Sequence, residues 1–209
     1  MKTLTPLLLF CLFGAAAGEA QTYEFGVLGG YARMNAKDLG SVSAESPKES
    51  DTSIQADHAE GIWLTANTRG YYGHELTYLQ TRFNVDSVLR TVVNNSTVTT
   101  TARDRTAVRQ LSYNFLIYFM PRGERWRPFV TGGLQANQYH QPNIEGWPSG
   151  YVRHYGANWG GGIKFHLLPH TVLRLDARDY YGGKPYKLNL QTGGSIHELT
   201  ATAGFGFTF

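Results

Sequence analysis

Residues 195–209 read S-I-H-E-L-T-A-T-A-G-F-G-F-T-F. One parity carries His197, Leu199, Ala201, Ala203, Phe205, Phe207 and Phe209; the other carries Glu198, Thr200, Thr202, Gly204, Gly206 and Thr208. Successive side chains of a strand point to opposite faces, so this stretch predicts a strand with one oily and one polar face. Which face is the inside of the protein decides the fold.

The N-terminus narrows the choice. Met1-Lys2 is followed by an apolar stretch from Leu4 to Ala17 and then by the small residues A-A-A-G-E-A. This is the layout of a secretory signal peptide, with cleavage after Ala17 or Ala20; 1–20 is taken as signal and 21–209 as one domain. The only cysteine, Cys11, lies inside the apolar stretch. The mature chain then has no disulfide, no thiolate metal site and no cysteine nucleophile. The formal net charge is +3, and removing Lys2 and Glu19 with residues 1–20 leaves it unchanged. No dense run of lysine and arginine appears, which excludes a nucleic-acid signature. Beyond the signal no run of eighteen apolar residues exists, so a membrane helix is excluded.

Period-two alternation recurs along the rest of the chain, and helical periodicity does not. Eight strands are predicted: from Tyr23, over 60–67, from His74, over 109–119, from Phe129, over 157–167, over 172–180, and from Ser195. Residues 86–105 extend the third and fourth strands as a hairpin or form a loop. Connections alternate short and long, which in an up-and-down meander puts short turns at one end and long loops at the other. Transmembrane barrels show this asymmetry.

The seventh strand sharpens the choice. Leu173, Leu175 and Ala177 share one face, and Arg174, Asp176 and Arg178 the other. The polar parity elsewhere carries small residues and a few charges, which suits the narrow interior of an eight-stranded barrel better than a soluble surface. Aromatics crowd strand ends at Tyr23, Tyr71, Tyr72, Phe119, Trp126, Tyr139, Tyr180, Tyr181, Phe207 and Phe209, as interfacial girdles do. A spanning sheet satisfies its backbone by closure, pairing the first strand with the last. The fold class is therefore all-β: an eight-stranded antiparallel up-and-down transmembrane β-barrel.

The signal peptide, R-P-F-V-T-G-G at 127–133, V-L-R-L-D-A-R-D-Y at 172–180 with its glycine-rich loop, and the final G-F-G-F-T-F together resemble the small outer-membrane barrels of the OmpA-transmembrane and OmpX type. The resemblance covers the whole mature chain. It implies a C-terminal signal read by the outer-membrane assembly machinery through Phe205, Phe207 and Phe209. The expected setting is a Gram-negative outer membrane with its lipid and lipopolysaccharide, and the expected state is a monomer.

Candidate chemistry is sparse. Glu24, Glu75, Lys164, Arg174, Asp176, Arg178 and Glu198 form a candidate lumen network, because buried charges must be paired. Trp147, Tyr151 and Tyr155 are candidate loop contacts for a sugar or a protein, or part of the outer girdle. His166 and His170 straddle a turn at Pro169, so no metal site is predicted, and no cofactor or catalytic residue either. A lipid deacylase would need a serine and a histidine on the lipid face; Ser195 and His197 stand in the reverse of the His-x-Ser order, with no acidic partner evident. The expected role is structural, or surface interaction with an unknown extracellular partner. A narrow ion-conducting pore is the alternative, and a soluble barrel holding an apolar ligand is a third class.

Overall fold

The computed structural model describes residues 22–35, 39–40, 52–55, 57–68, 70–94, 96–145, 147, 149–186, 188 and 194–209; the predicted signal peptide lies outside the described residues. The strands are β1 (Thr22–Asn35), β2 (Thr52–Gln55), β3 (Asp57–Thr68), β4 (Tyr72–Val93), β5 (Ser96–Tyr118), β6 (Trp126–His140), β7 (Tyr151–Leu168), β8 (Thr171–Gly183) and β9 (Ser195–Thr208). The sheet runs β4-β3-β1-β9-β8-β7-β6-β5, and β4 pairs with β5, so eight antiparallel strands close into a ring. β2 stands outside the ring, paired with β4 through Thr52–Gln55 against Asn84–Ser87. A fragment of the first long connection is therefore a ninth strand, where the sequence predicts only loop.

Closure answers the opening question. Phe25, Val27 and Tyr31 of β1 face Phe207, Phe205 and Ala201 of β9. Tyr23 and Phe209 exchange both backbone hydrogen bonds at 2.9 Å and stack their rings at 6.2 Å. Phe209 completes the ring, and among the described residues no ring strand is left with an open edge.

The apolar parity faces outward. Phe25, Val27, Leu111, Tyr113, Leu134, Leu175, Phe205 and Phe207 are exposed, whereas Glu24, Glu75, Lys164 and Arg174 are fully buried. A soluble barrel would invert this, because burying apolar surface is its main stabilisation. Tyr71, Tyr72, Phe119, Trp126 and Phe209 ring the end that carries the short turns. Tyr139 and Tyr180 depart from the girdle expectation: both face inward and are almost fully buried. Each shares the parity of polar inward residues, Asn137 and Arg178 respectively, and parity overrides position along the strand.

The long end also differs from a set of loops. β4 and β5 pair without interruption from Tyr72↔Ile117 to Val93↔Ser96. The β-branched run of 97–101 favours strand. Asn94, with φ of 49°, supplies the left-handed residue of the turn. Beyond Gln80 the hairpin continues for roughly 40 Å at a strand's rise per residue.

Candidate functional site

The lumen is stacked in layers. Nearest the short turns, the Arg127 guanidinium lies 3.7 Å from the centroid of the Tyr118 ring and donates to the Gly70 carbonyl at 2.7 Å. Above it, Lys164 Nζ pairs with Glu24 and donates to the Tyr118 hydroxyl at 2.9 Å. Asn67 donates to the other Glu24 oxygen at 2.8 Å. The Thr65 hydroxyl links this pair to the next layer, donating to Glu75 at 2.8 Å and accepting from Lys164 at 3.4 Å.

The next layer is a four-membered cluster. Arg174 grips both oxygens of Glu75, at 2.5 and 3.1 Å, and reaches Asp176 at 2.5 Å. Arg178 reaches the same two carboxylates at 2.6 and 3.0 Å. Two guanidinium groups against two carboxylates leave the cluster neutral, the condition under which buried charge is tolerated. The alternation of β8 places Arg174, Asp176 and Arg178 on one inward face, and closure brings Glu75 of β4 across the bore to meet them.

Glu198, the seventh member of the predicted network, stands apart. Its partner is an amide: Gln110 Nε2 donates to it at 2.8 Å. Around it lie buried amides from β5, β6 and β7, with polar atoms of Gln135, Asn137 and Asn158 lacking a hydrogen-bond partner. Such a chamber is polar enough to hold water. Tyr180 stands beside Glu198 on the neighbouring strand, and with Phe83, Val108, Tyr139, Tyr186 and Ile196 it forms an apolar plug, with Trp147 and Leu188 packed against it. Trp147 meets Tyr186 edge-on at 4.8 Å.

The three candidate loop aromatics are not brought together. Trp147 belongs to the plug, whereas Tyr151 and Tyr155 stand on β7 rather than in a loop and point outward. β7 begins at Tyr151, ahead of the predicted start, because Tyr151, Arg153 and Tyr155 continue its outward parity. His197 also has a partner that the sequence left out: its Nδ1 lies 2.8 Å from Asp179 on β8, and its ring packs against Tyr181 at 5.1 Å. Asp179 sits on the neighbouring strand, so only register reveals the contact. Ser195 shares His197's outward face, but among the described residues no hydrogen bond joins them. His166 and His170 belong to no cluster of three or more metal-ligating side chains among the described residues.

The outer hairpin carries a second, exposed network. Asp57 accepts from the backbone N–H of His58 at 2.8 Å and from Arg105 at 2.7 Å, with the His58 ring at 2.8 Å. Asp86 accepts from Gln55 of β2 at 2.7 Å and from Arg103 of β5 at 2.5 and 2.9 Å, tying three strands together. His58 first, then Arg105, holds the Asp57 carboxyl down to about 2; Arg103 likewise lowers that of Asp86. A depressed carboxyl stabilises the fold above its unfolded pKa of about 4, and the contribution is lost as pH falls through the folded value. Amide protection across 82–105, followed by hydrogen exchange, should be a few-fold higher at pH 5 than at pH 2, since ion pairs this exposed contribute only about 0–1 kcal/mol each. Equal protection factors at both pH values would overturn this.

No family model and no curated relative matches the chain. Solved structures do match it. The N-terminal β-barrel domain of Pseudomonas aeruginosa OprF aligns with a TM-score of 0.55 at 16% identity, covering 90% of this chain and 97% of that one. OprG of the same organism aligns at 0.56 and 15%, covering 89% and 95%. Neisserial surface protein A aligns at 0.55 and 12%, covering 91% and 100%. At these identities the likeness concerns architecture: the chain has the fold of a small eight-stranded outer-membrane barrel.

Proposed function

We propose that the protein is an integral outer-membrane barrel with a shut bore, whose work is surface interaction through its extracellular extension. The observation that carries this reading is the hairpin: β4 and β5 stay paired to Val93 and Ser96, far beyond the length of about ten residues that a membrane strand needs. β2 broadens it, and the Asp57 and Asp86 networks stiffen it. A stiff, polar, charged projection on a closed barrel is a presentation device. No catalytic centre, metal or cofactor enters this reading. Phe205, Phe207 and Phe209 face lipid at the end bearing the short turns, a placement suited to an assembly signal. The predicted export signal at 1–20 and a monomeric state belong to the same proposal.

The test pairs adhesion with conductance. Cells displaying the protein should adhere to a panel of protein- and polysaccharide-coated surfaces, and adhesion should fall to background when 84–105 is replaced by a two-residue turn. The trimmed barrel should still shift in gel mobility on boiling, the mark of a folded membrane barrel. Purified wild type should give no stepwise current in a planar bilayer. Adhesion unchanged by trimming would overturn the reading. Stepwise currents would favour a narrow pore, for which the amide chamber around Gln135, Asn137 and Asn158 is the specific support.

A further inference from the structure

The short-turn end of the bore holds a small cavity of about 240 Å³. Arg122 lines it from the β5–β6 turn and Pro169 from the β7–β8 turn, while Asn67, Arg127, His166 and Thr208 enter from the strands. Arg127 is the exception among the cations of the bore. Lys164 has Glu24, and Arg174 and Arg178 have Glu75 and Asp176. Among the described residues no carboxylate meets Arg127, although only 1% of its surface is exposed. It donates to the Gly70 and Met120 carbonyls and stacks on the Tyr118 ring. None of these partners neutralises it, and a buried charge without a counter-ion is costly.

The wall of the cavity supplies a second observation. Arg122 Nε, His166 Nδ1, Thr208 Oγ1 and Asn67 Oδ1 are all buried, and all lack a hydrogen-bond partner. Such atoms are rare in folded proteins, and here four of them belong to residues around one cavity. Three can donate: the guanidinium, the hydroxyl, and the imidazole in the tautomer that carries its proton on Nδ1. The fourth accepts. Asn67 Nδ2 is committed to Glu24 at 2.8 Å and to the Thr22 carbonyl at 3.4 Å, so the amide is oriented and Oδ1 is the atom left over. Glu24 also borders the cavity, but Lys164 and Asn67 occupy its two oxygens.

We propose that this cavity binds a phosphate group that keeps one proton. Arg122 and Arg127 supply the charge and the strong donors. Thr208 and His166 donate to further oxygens from two other strands, and the P–OH donates to Asn67 Oδ1. A carboxylate, with two oxygens in one plane, serves fewer donors arriving from four elements. Sulfate has no proton to give Asn67. The ligand is free phosphate or the phosphate monoester of a headgroup, since both present the same atoms.

The test uses mature protein, folded in detergent and checked for the mobility shift on boiling. Calorimetry titrates it with inorganic phosphate, with sulfate, and with phosphate in the presence of short-chain phosphatidic acid. Wild type should bind phosphate on the order of tenfold more tightly than sulfate, the worth of one hydrogen bond to a charged group. R122Q changes a half-buried turn residue, so it should keep the boiling shift and bind phosphate about tenfold more weakly. R127Q should bind more weakly still; if it does not shift, R122Q and Thr208→Val carry the test. R153Q, at the long end, should bind as wild type does. Competition by phosphatidic acid would assign the site to a lipid headgroup, and lack of competition to free phosphate. R122Q binding as tightly as wild type would overturn the proposal, as would equal affinity for phosphate and sulfate. So would folded wild type giving no heat with phosphate, the result for a cavity that holds water alone. A wild type with no boiling shift would remove the barrel itself, and the site with it.

Discussion

Replacing Arg174 and Arg178 together by alanine is expected to cost the barrel more stability than any other change at two charged positions. Glu75 would keep only the hydroxyls of Thr65 and Thr77, and Asp176 only that of Thr202. Both carboxylates are buried. Removing one side of a buried pair costs about 3–5 kcal/mol, because the remaining charge stays desolvated. Urea unfolding in lipid vesicles should show the midpoint falling steeply in R174A/R178A. The quadruple variant that adds Glu75→Gln and Asp176→Asn should recover most of the loss, since it strands no charge. Lysine is a poor substitute at Arg174, whose two terminal nitrogens grip the two oxygens of Glu75 as a fork. An unchanged midpoint in the double alanine variant would show that the cluster is not what holds the bore together.

The second large effect is expected at Gly26. Its inward face lies against the Trp63 ring and the Phe205 backbone carbonyl, both closer than any real Cβ contact. Trp63 is fully buried, and its ring stands 5.4 Å from the Arg174 guanidinium. A Cβ at Gly204 or Gly206 on β9 would meet the same ring, at 2.6 and 2.8 Å. Three glycines thus cradle one indole where β1 meets β9, the seam that closes the barrel. A side chain at Gly26 must push either the ring or the β9 backbone. Gly26→Val is therefore expected to exceed the roughly 1–3 kcal/mol usual for overpacking, and to leave little species that shifts on boiling. Adding Trp63→Ala should rescue only part, because the Phe205 carbonyl remains in the way. Gly29, three residues along β1, has nothing within 4 Å of its absent Cβ, so Gly29→Ala should migrate as wild type. Wild-type stability in Gly26→Val would overturn this account of the seam.

The lumen charges and the terminal aromatics differ in how they were legible. Arg174, Asp176 and Arg178 declare their face by alternation within one strand, and so do Phe205, Phe207 and Phe209. Glu24, Glu75 and Lys164 were legible by the same parity on other strands, and all enter the bore. Their pairing was not legible: nothing local joins Lys164 to Glu24 or Glu75 to Arg174. Glu198 shares the inward parity, yet it meets Gln110 instead of a cation. Tyr139 and Tyr180 read as girdle residues by their place near strand ends, and the fold turns them into the plug. The His197–Asp179 contact joins residues on neighbouring strands, and no local pattern marks it.

Alternation, strand number and the asymmetry of the connections are properties of the chain taken one segment at a time, so the sequence by itself determined the barrel class and the polarity of its two faces. Which inward charges meet and which side chains fill the upper bore depend on the register between strands and the stagger imposed by closure. A shift of one residue in register would send every side chain of a strand to the opposite wall. Only the closed ring, with Tyr23 against Phe209, decides those neighbours.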